Sequence, residues 1–133
     1  MAKPPVIVVD WVPSTARIFA EALELEGYIA RCEADLHKGF DFLDRCETPH
    51  VAIMRFQLMG WRNDFDWYRL LSTKRRLQRH TYLEAWACAD LPADTSRRAI
   101  LGRFGSITLP CPCDADEFFD AMEKAWARLA RHA

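Results

Sequence analysis

The sequence predicts an α/β domain built on one mainly parallel, doubly wound sheet of five strands. Three observations predict it. Short apolar, β-branched runs alternate with stretches of helical periodicity along the whole chain. Turn residues and helix caps fall between them, as at Pro13-Ser14, Gly27, Asp35 and Gly60. The chain has 133 residues, 50% of them hydrophobic and 28% charged. That suits a single domain, 1–133, with no effector domain attached and a core that needs no staples.

Val6 to Asp10 is a compact apolar run and reads as a buried first strand. A helix from about Thr15 to Glu26 places Ile18, Phe19, Ala22 and Leu23 on one face, and Gly27 closes it. Tyr28 to Glu33 is the second strand. Asp35 caps a second helix that turns Phe40, Phe42 and Leu43 inward. His50 to Phe56 is the third strand, followed by a loop marked by Gly60 and Asn63. A third helix starts at Asp64 or Asp66 and ends in the basic turn Lys74-Arg75-Arg76, which complements the helix dipole. Thr81 to Trp86 is the fourth strand. A loop at Asp90–Asp94 leads to a fourth helix around Ala99–Leu101. Ser106 to Leu109 is a short fifth strand, and Asp114 caps a last helix carrying Phe118, Phe119, Met122, Ala125, Trp126 and Leu129. Five strands alternating with five helices is the flavodoxin-like (βα)5 plan. In such a sheet, function gathers at the carboxyl ends of the strands.

Bulk properties narrow the function classes. The net charge of -1 does not favour nucleic acid or an anionic membrane. No apolar run approaches the roughly 18 residues needed to span a bilayer. The N-terminus lacks the apolar core of a signal peptide, so a cytoplasmic location is expected. Five cysteines without a secretion signal read as reduced thiols. Cys111 and Cys113 flank a proline, but no second Cys/His pair stands at metal-site spacing, and no metal or cofactor is expected. Arg75, Arg76, Arg79 and His80 form a basic run that reads as a solvated helix end. His37, His50, His80 and His132 show no catalytic order and read as surface or strand-end residues.

Three strings, VIVVDWVPSTARIF, PHVAIMRFQLMGW and ITLPCPCDADEFFDAM, resemble response-regulator receiver domains of the CheY type. The resemblance covers essentially the whole chain. It implies a phospho-accepting aspartate at the end of strand three, where Arg55 stands. It implies a pair of acids after strand one, where Asp10-Trp11 stands. It implies a Ser or Thr ending strand four, where Trp86 is the match, and Lys-Pro after strand five, where Cys111-Pro112 stands. No acid occurs between Glu47 and Asp64, so no small register shift restores the acceptor. An arginine forms no acyl phosphate and its charge opposes Mg²⁺; an indole does not ligate a hard cation.

The expectation is an atypical receiver, a pseudo-receiver, that signals in a two-component or phosphorelay pathway through protein contact without phosphorylation. The degenerate site comprises Asp10, Trp11, Arg55, Trp86 and Cys111. Trp11, Trp61 and Trp86 fall on one edge of the sheet and fill space or anchor a partner. Arg55 needs an anion if it is partly buried; Asp10 is the natural candidate and Glu84 the second. Similar family members use the face of helix four, strand five and helix five, often as homodimers. Here that face includes Arg97, Arg98, Phe119 and Trp126. The implied partners are a histidine kinase, another regulator, a receiver-like domain or a second copy. Two alternatives stand beside this non-enzymatic reading: an anion or small-ligand sensor at Arg55, and a thiol redox protein using Cys111 and Cys113 activated by nearby positive charge.

Overall fold

A computed structural model describes residues 3–10, 12–56, 73–87, 107–111 and 113–132; at Arg55, Trp86 and Cys111 it describes the backbone. Five parallel strands form one sheet: β1 (Pro5–Val9), β2 (Ile29–Glu33), β3 (Val51–Phe56), β4 (Thr81–Ala87) and β5 (Ile107–Cys111). Their spatial order is β2-β1-β3-β4-β5. The reversal at β1 is the switch point of a doubly wound sheet, which is the flavodoxin-like plan expected. The described helices are α1 (Pro13–Leu25), α2 (Leu36–Arg45) and α3 (Ala115–His132), with a 3-10 segment at Arg75–Arg79. The expected helices around 64–71 and 95–102 lie outside the described residues.

Strand alternation divides the core into two layers. Val6, Val8, Val51, Ile53, Leu83 and Leu109 pack with Ala16 and Leu23 of α1 and Phe118, Met122, Ala125 and Leu129 of α3. Ile7, Val9, Ala52, Met54 and Tyr82 have the opposite parity and are also fully or almost fully buried. On that side α2 comes so close to β1 that a Cβ on Gly39 would stand 3.0 Å from Val9 Cγ2.

Local chemistry sets the helix ends. Asp35 Oδ1 accepts the amides of His37 and Lys38 and caps α2, as its position suggests. Asp114 and Glu117 form a reciprocal capping box before α3: Asp114 Oδ1 accepts the Glu117 amide at 2.7 Å and Glu117 Oε1 accepts the Asp114 amide at 3.3 Å. α1 ends in a Schellman motif, with Gly27 N–H donating to Glu24 O and Tyr28 N–H to Leu23 O. Gly27 has φ 89°, which needs glycine.

Four expectations are corrected. Ile18 does not face the core; it is 67% exposed, and the buried positions of α1 are Ala16, Ala20 and Leu23. Periodicity gave the right helix with its inward stripe rotated. The basic run does not end an α-helix: Lys74 is extended and Arg75–Arg79 form a separate 3-10 turn anchored by buried Leu77. β5 runs past Leu109 to Cys111, so Pro110 lies inside a strand. β5 pairs only with β4 in this sheet, and an edge strand tolerates the missing amide. His50 and His80 sit at strand starts, but they are buried rather than on the surface.

Candidate functional site

The carboxyl edge of the sheet is set by register. Val9 pairs with Met54, so position 55 follows one step on, beside Asp10. Arg55 pairs with Ala85 and Phe56 with Trp86 across β3 and β4. Trp86 pairs with Pro110 and Ala87 with Cys111 across β4 and β5. The backbone thus brings Asp10, Arg55, Trp86 and Cys111 to one edge of three adjoining strand pairs, although 101 positions of sequence separate the first from the last. Trp11, Trp61, Arg97 and Arg98 lie outside the described residues.

Asp10 is fully buried. Its amide donates to Glu33 O at 3.0 Å, which extends the β1–β2 ladder by one step. Its Oδ1 accepts the Val12 amide at 2.9 Å, at the N-terminus of α1. The carboxylate therefore holds the strand-to-helix turn, and the partial positive charge of the helix end favours it there. Pro13 follows at the first helical position, where its missing N–H costs nothing.

Glu84 is fully buried within β4, between Met54 of β3 and Thr108 of β5. A place within the fourth strand leaves an acid either at an exposed edge or buried and paired, and the structure buries Glu84.

A hard divalent cation takes several oxygen ligands. Among the described residues, register places one carboxylate, Asp10, beside position 55, and that carboxylate accepts the Val12 amide. Among the described residues, no group of three or more His, Cys, Asp or Glu is placed to hold a metal ion.

Phe119 and Trp126 lie on α3, half-buried, while Phe118 between them and the sheet is buried. Phe19 and Phe118 stack at 5.3 Å between ring centroids, which joins α1 to α3. Beside this contact runs an apolar groove of about 270 Å³, lined chiefly by Ile18, Phe19, Ala22, Cys113, Phe118 and Phe119. Sequence reasoning missed this groove. Its signal is the apolar stripe of α1, which is wider than one buried face requires.

Burial is the main cause that pushes the Cys32 thiol above its ordinary value, with Arg17 opposing and Glu24 and Glu21 adding to the rise. No described helix is long and apolar enough to cross a membrane.

No protein-family model and no curated protein matches the sequence. Solved structures do resemble the fold. A CheY-like response-regulator receiver domain from Methanospirillum hungatei superposes with a TM-score of 0.74 at 14% identity, covering 98% of this chain and 99% of its own. A signal receiver domain of a Luxo repressor protein from Vibrio parahaemolyticus gives 0.69 at 17% identity, with coverage of 97% and 94%. A protein described as an adenylate cyclase from Rhodopirellula baltica gives 0.76 at 12% identity, with coverage of 97% and 91%. At these identities the likeness is one of fold, and the chain has the fold of the CheY-like receiver domains.

Proposed function

We propose that this chain is a receiver-like module of two-component signalling that works by protein contact and accepts no phosphoryl group. One observation carries the reading. Register aligns Asp10, Arg55, Trp86 and Cys111 at the sheet edge where receivers keep their chemistry, and three of those four residues are wrong for it. The resemblance assigns an acceptor aspartate to position 55, a hydroxyl to position 86 and a lysine to position 111. Arginine, tryptophan and cysteine cannot take those roles.

In this reading Arg55 supplies the positive charge that the missing lysine and metal would otherwise bring. The buried Asp10 carboxylate is its partner. A buried carboxylate requires donors or a counter-charge, and the Val12 amide is one such donor. The ion pair holds the edge in one state, so the surface offered to a partner is permanent. That surface includes Phe119 and Trp126 on α3, together with Arg97 and Arg98. The partner is a histidine kinase, another regulator or a second copy of the chain.

Tryptophan fluorescence tests the loss of metal and anion chemistry. The chain has five tryptophans, and Trp86 stands at the carboxyl end of β4. Titration with Mg²⁺, and then with phosphate and nucleotides, is expected to leave the emission unchanged. A saturable response to Mg²⁺ overturns the reading. A saturable response to an anion alone favours a ligand sensor instead.

A further inference from the structure

The pole of the sheet opposite the candidate site is stitched together by one imidazole. His80 is 2% exposed. Its Nδ1 accepts the backbone amide of His50 at 2.9 Å. Its Nε2 donates to Leu43 O at 2.8 Å, in the last turns of α2. One side chain, at the start of β4, thus fastens the start of β3 and the end of α2. The surroundings admit a single protonation state. Nδ1 must be bare to accept an amide, and Nε2 must carry the proton to reach a carbonyl.

The neighbouring groups reinforce that state. The His50 ring stands edge-on at 5.7 Å and directs its own Nδ1–H to Thr48 O. Arg79, the residue before His80, adds positive charge. Tyr82 on β4 donates its hydroxyl to Leu77 O, within the 3-10 segment. From α2, Asp44 bears on Tyr82. Burial is the largest influence on His80, followed by the Leu43 carbonyl, which favours the proton, and then by His50 and Arg79, which oppose it.

We propose that His80 is an acid-released latch: a proton on Nδ1 turns the acceptor into a donor facing the His50 amide, and loosens the start of β4 from the start of β3 while Nε2–H keeps its hold on Leu43 O. The segment that leads into His80 carries Lys74, Arg75 and Arg76, which are exposed and positive, and the half-buried Arg79. The device acts at the pole away from Asp10 and is independent of what the carboxyl edge does.

The sign follows from linkage. The folded state lowers the His80 pKa from 6.5 to about 4. The unfolded or opened chain binds more protons between those values, so closure is complete above pH 6.5 and weakens as pH falls toward 4. Between pH 7 and pH 4.5 the closed-to-open ratio is expected to drop by roughly 50-fold through this one group.

Histidine-ring NMR across a pH series on the full chain tests the latch, together with amide-exchange protection of the His50 N–H. In the wild type, the His80 ring is expected to stay neutral well below the ordinary imidazole value of 6.5, and His50 protection to fall by roughly 50-fold more than in His80→Gln. Glutamine offers one acceptor and one donor but takes up no proton. If the His80 ring titrates near the ordinary value of 6.5 with no loss of His50 protection, or if His80→Gln loses protection in acid as steeply as the wild type, the latch is wrong. Should His80→Gln fail to fold, the ring titration in the wild type decides alone.

Discussion

Asp10 and Arg55 hold adjoining places at the carboxyl ends of neighbouring strands, and the ion pair proposed between them is a question at the residue scale. Removing one partner of a buried ion pair leaves the other charge stranded, at a cost of about 3–5 kcal/mol. Arg55→Met and Asp10→Asn are each expected to destabilise the chain, and the double variant to recover part of the loss. A double-mutant cycle by urea unfolding checks this; a coupling energy indistinguishable from zero rejects the pair. Gly39 poses a second residue-level question. Alanine usually stabilises a helix interior by about 1 kcal/mol over glycine. Here the new methyl would meet Val9 Cγ2 at 3.0 Å. Val9 is fully buried and β-branched, so it has little freedom to yield. Gly39→Ala is therefore expected to destabilise by about 1 kcal/mol, read from the urea midpoint at unchanged slope. A gain in stability would show that α2 moves off β1 easily.

Among the elements, strands were more legible than the faces of helices. Val6–Val9 and Val51–Met54 announce themselves because a strand buried on both sides is apolar at every position. Asp35, Asp114 and Gly27 were legible because each performs a local act that needs no partner far away in sequence. The inward stripe of α1 was not legible. Ile18, Phe19, Ala22, Leu23 and Leu25 offer more apolar surface than one face can bury, and only packing against β1, β2 and α3 decides which of them turns in. Ile18→Glu is accordingly expected to change stability by less than about 0.5 kcal/mol, whereas Leu23→Ala should cost about 2–5 kcal/mol. Thermal melts of the two variants check the assignment; equal losses would restore the original stripe. The buried histidines were illegible for a related reason. Nothing local marks His80 as a bridge between the end of α2 and the start of β3, since its partners lie 30 and 37 residues away.

At the scale of the whole molecule, the fold has two poles with different chemistry. The carboxyl pole gathers Asp10, Arg55, Trp86 and Cys111 by register. The opposite pole closes on His80 and shows a basic surface from Lys74 to Arg79. The placing of Asp10, Arg55, Trp86 and Cys111 at one edge was readable from sequence because a parallel sheet sends every strand end to the same edge. The apolar groove between α1 and α3 was not, because it exists only between elements. The central claim is that the receiver fold persists here without phosphoryl acceptance. Incubation with acetyl phosphate and Mg²⁺, followed by intact-mass and peptide mass spectrometry beside an ordinary receiver domain, tests it most directly. The account predicts no added phosphate on this chain while the control is labelled; stable incorporation mapping to the segment that follows β3 would contradict it.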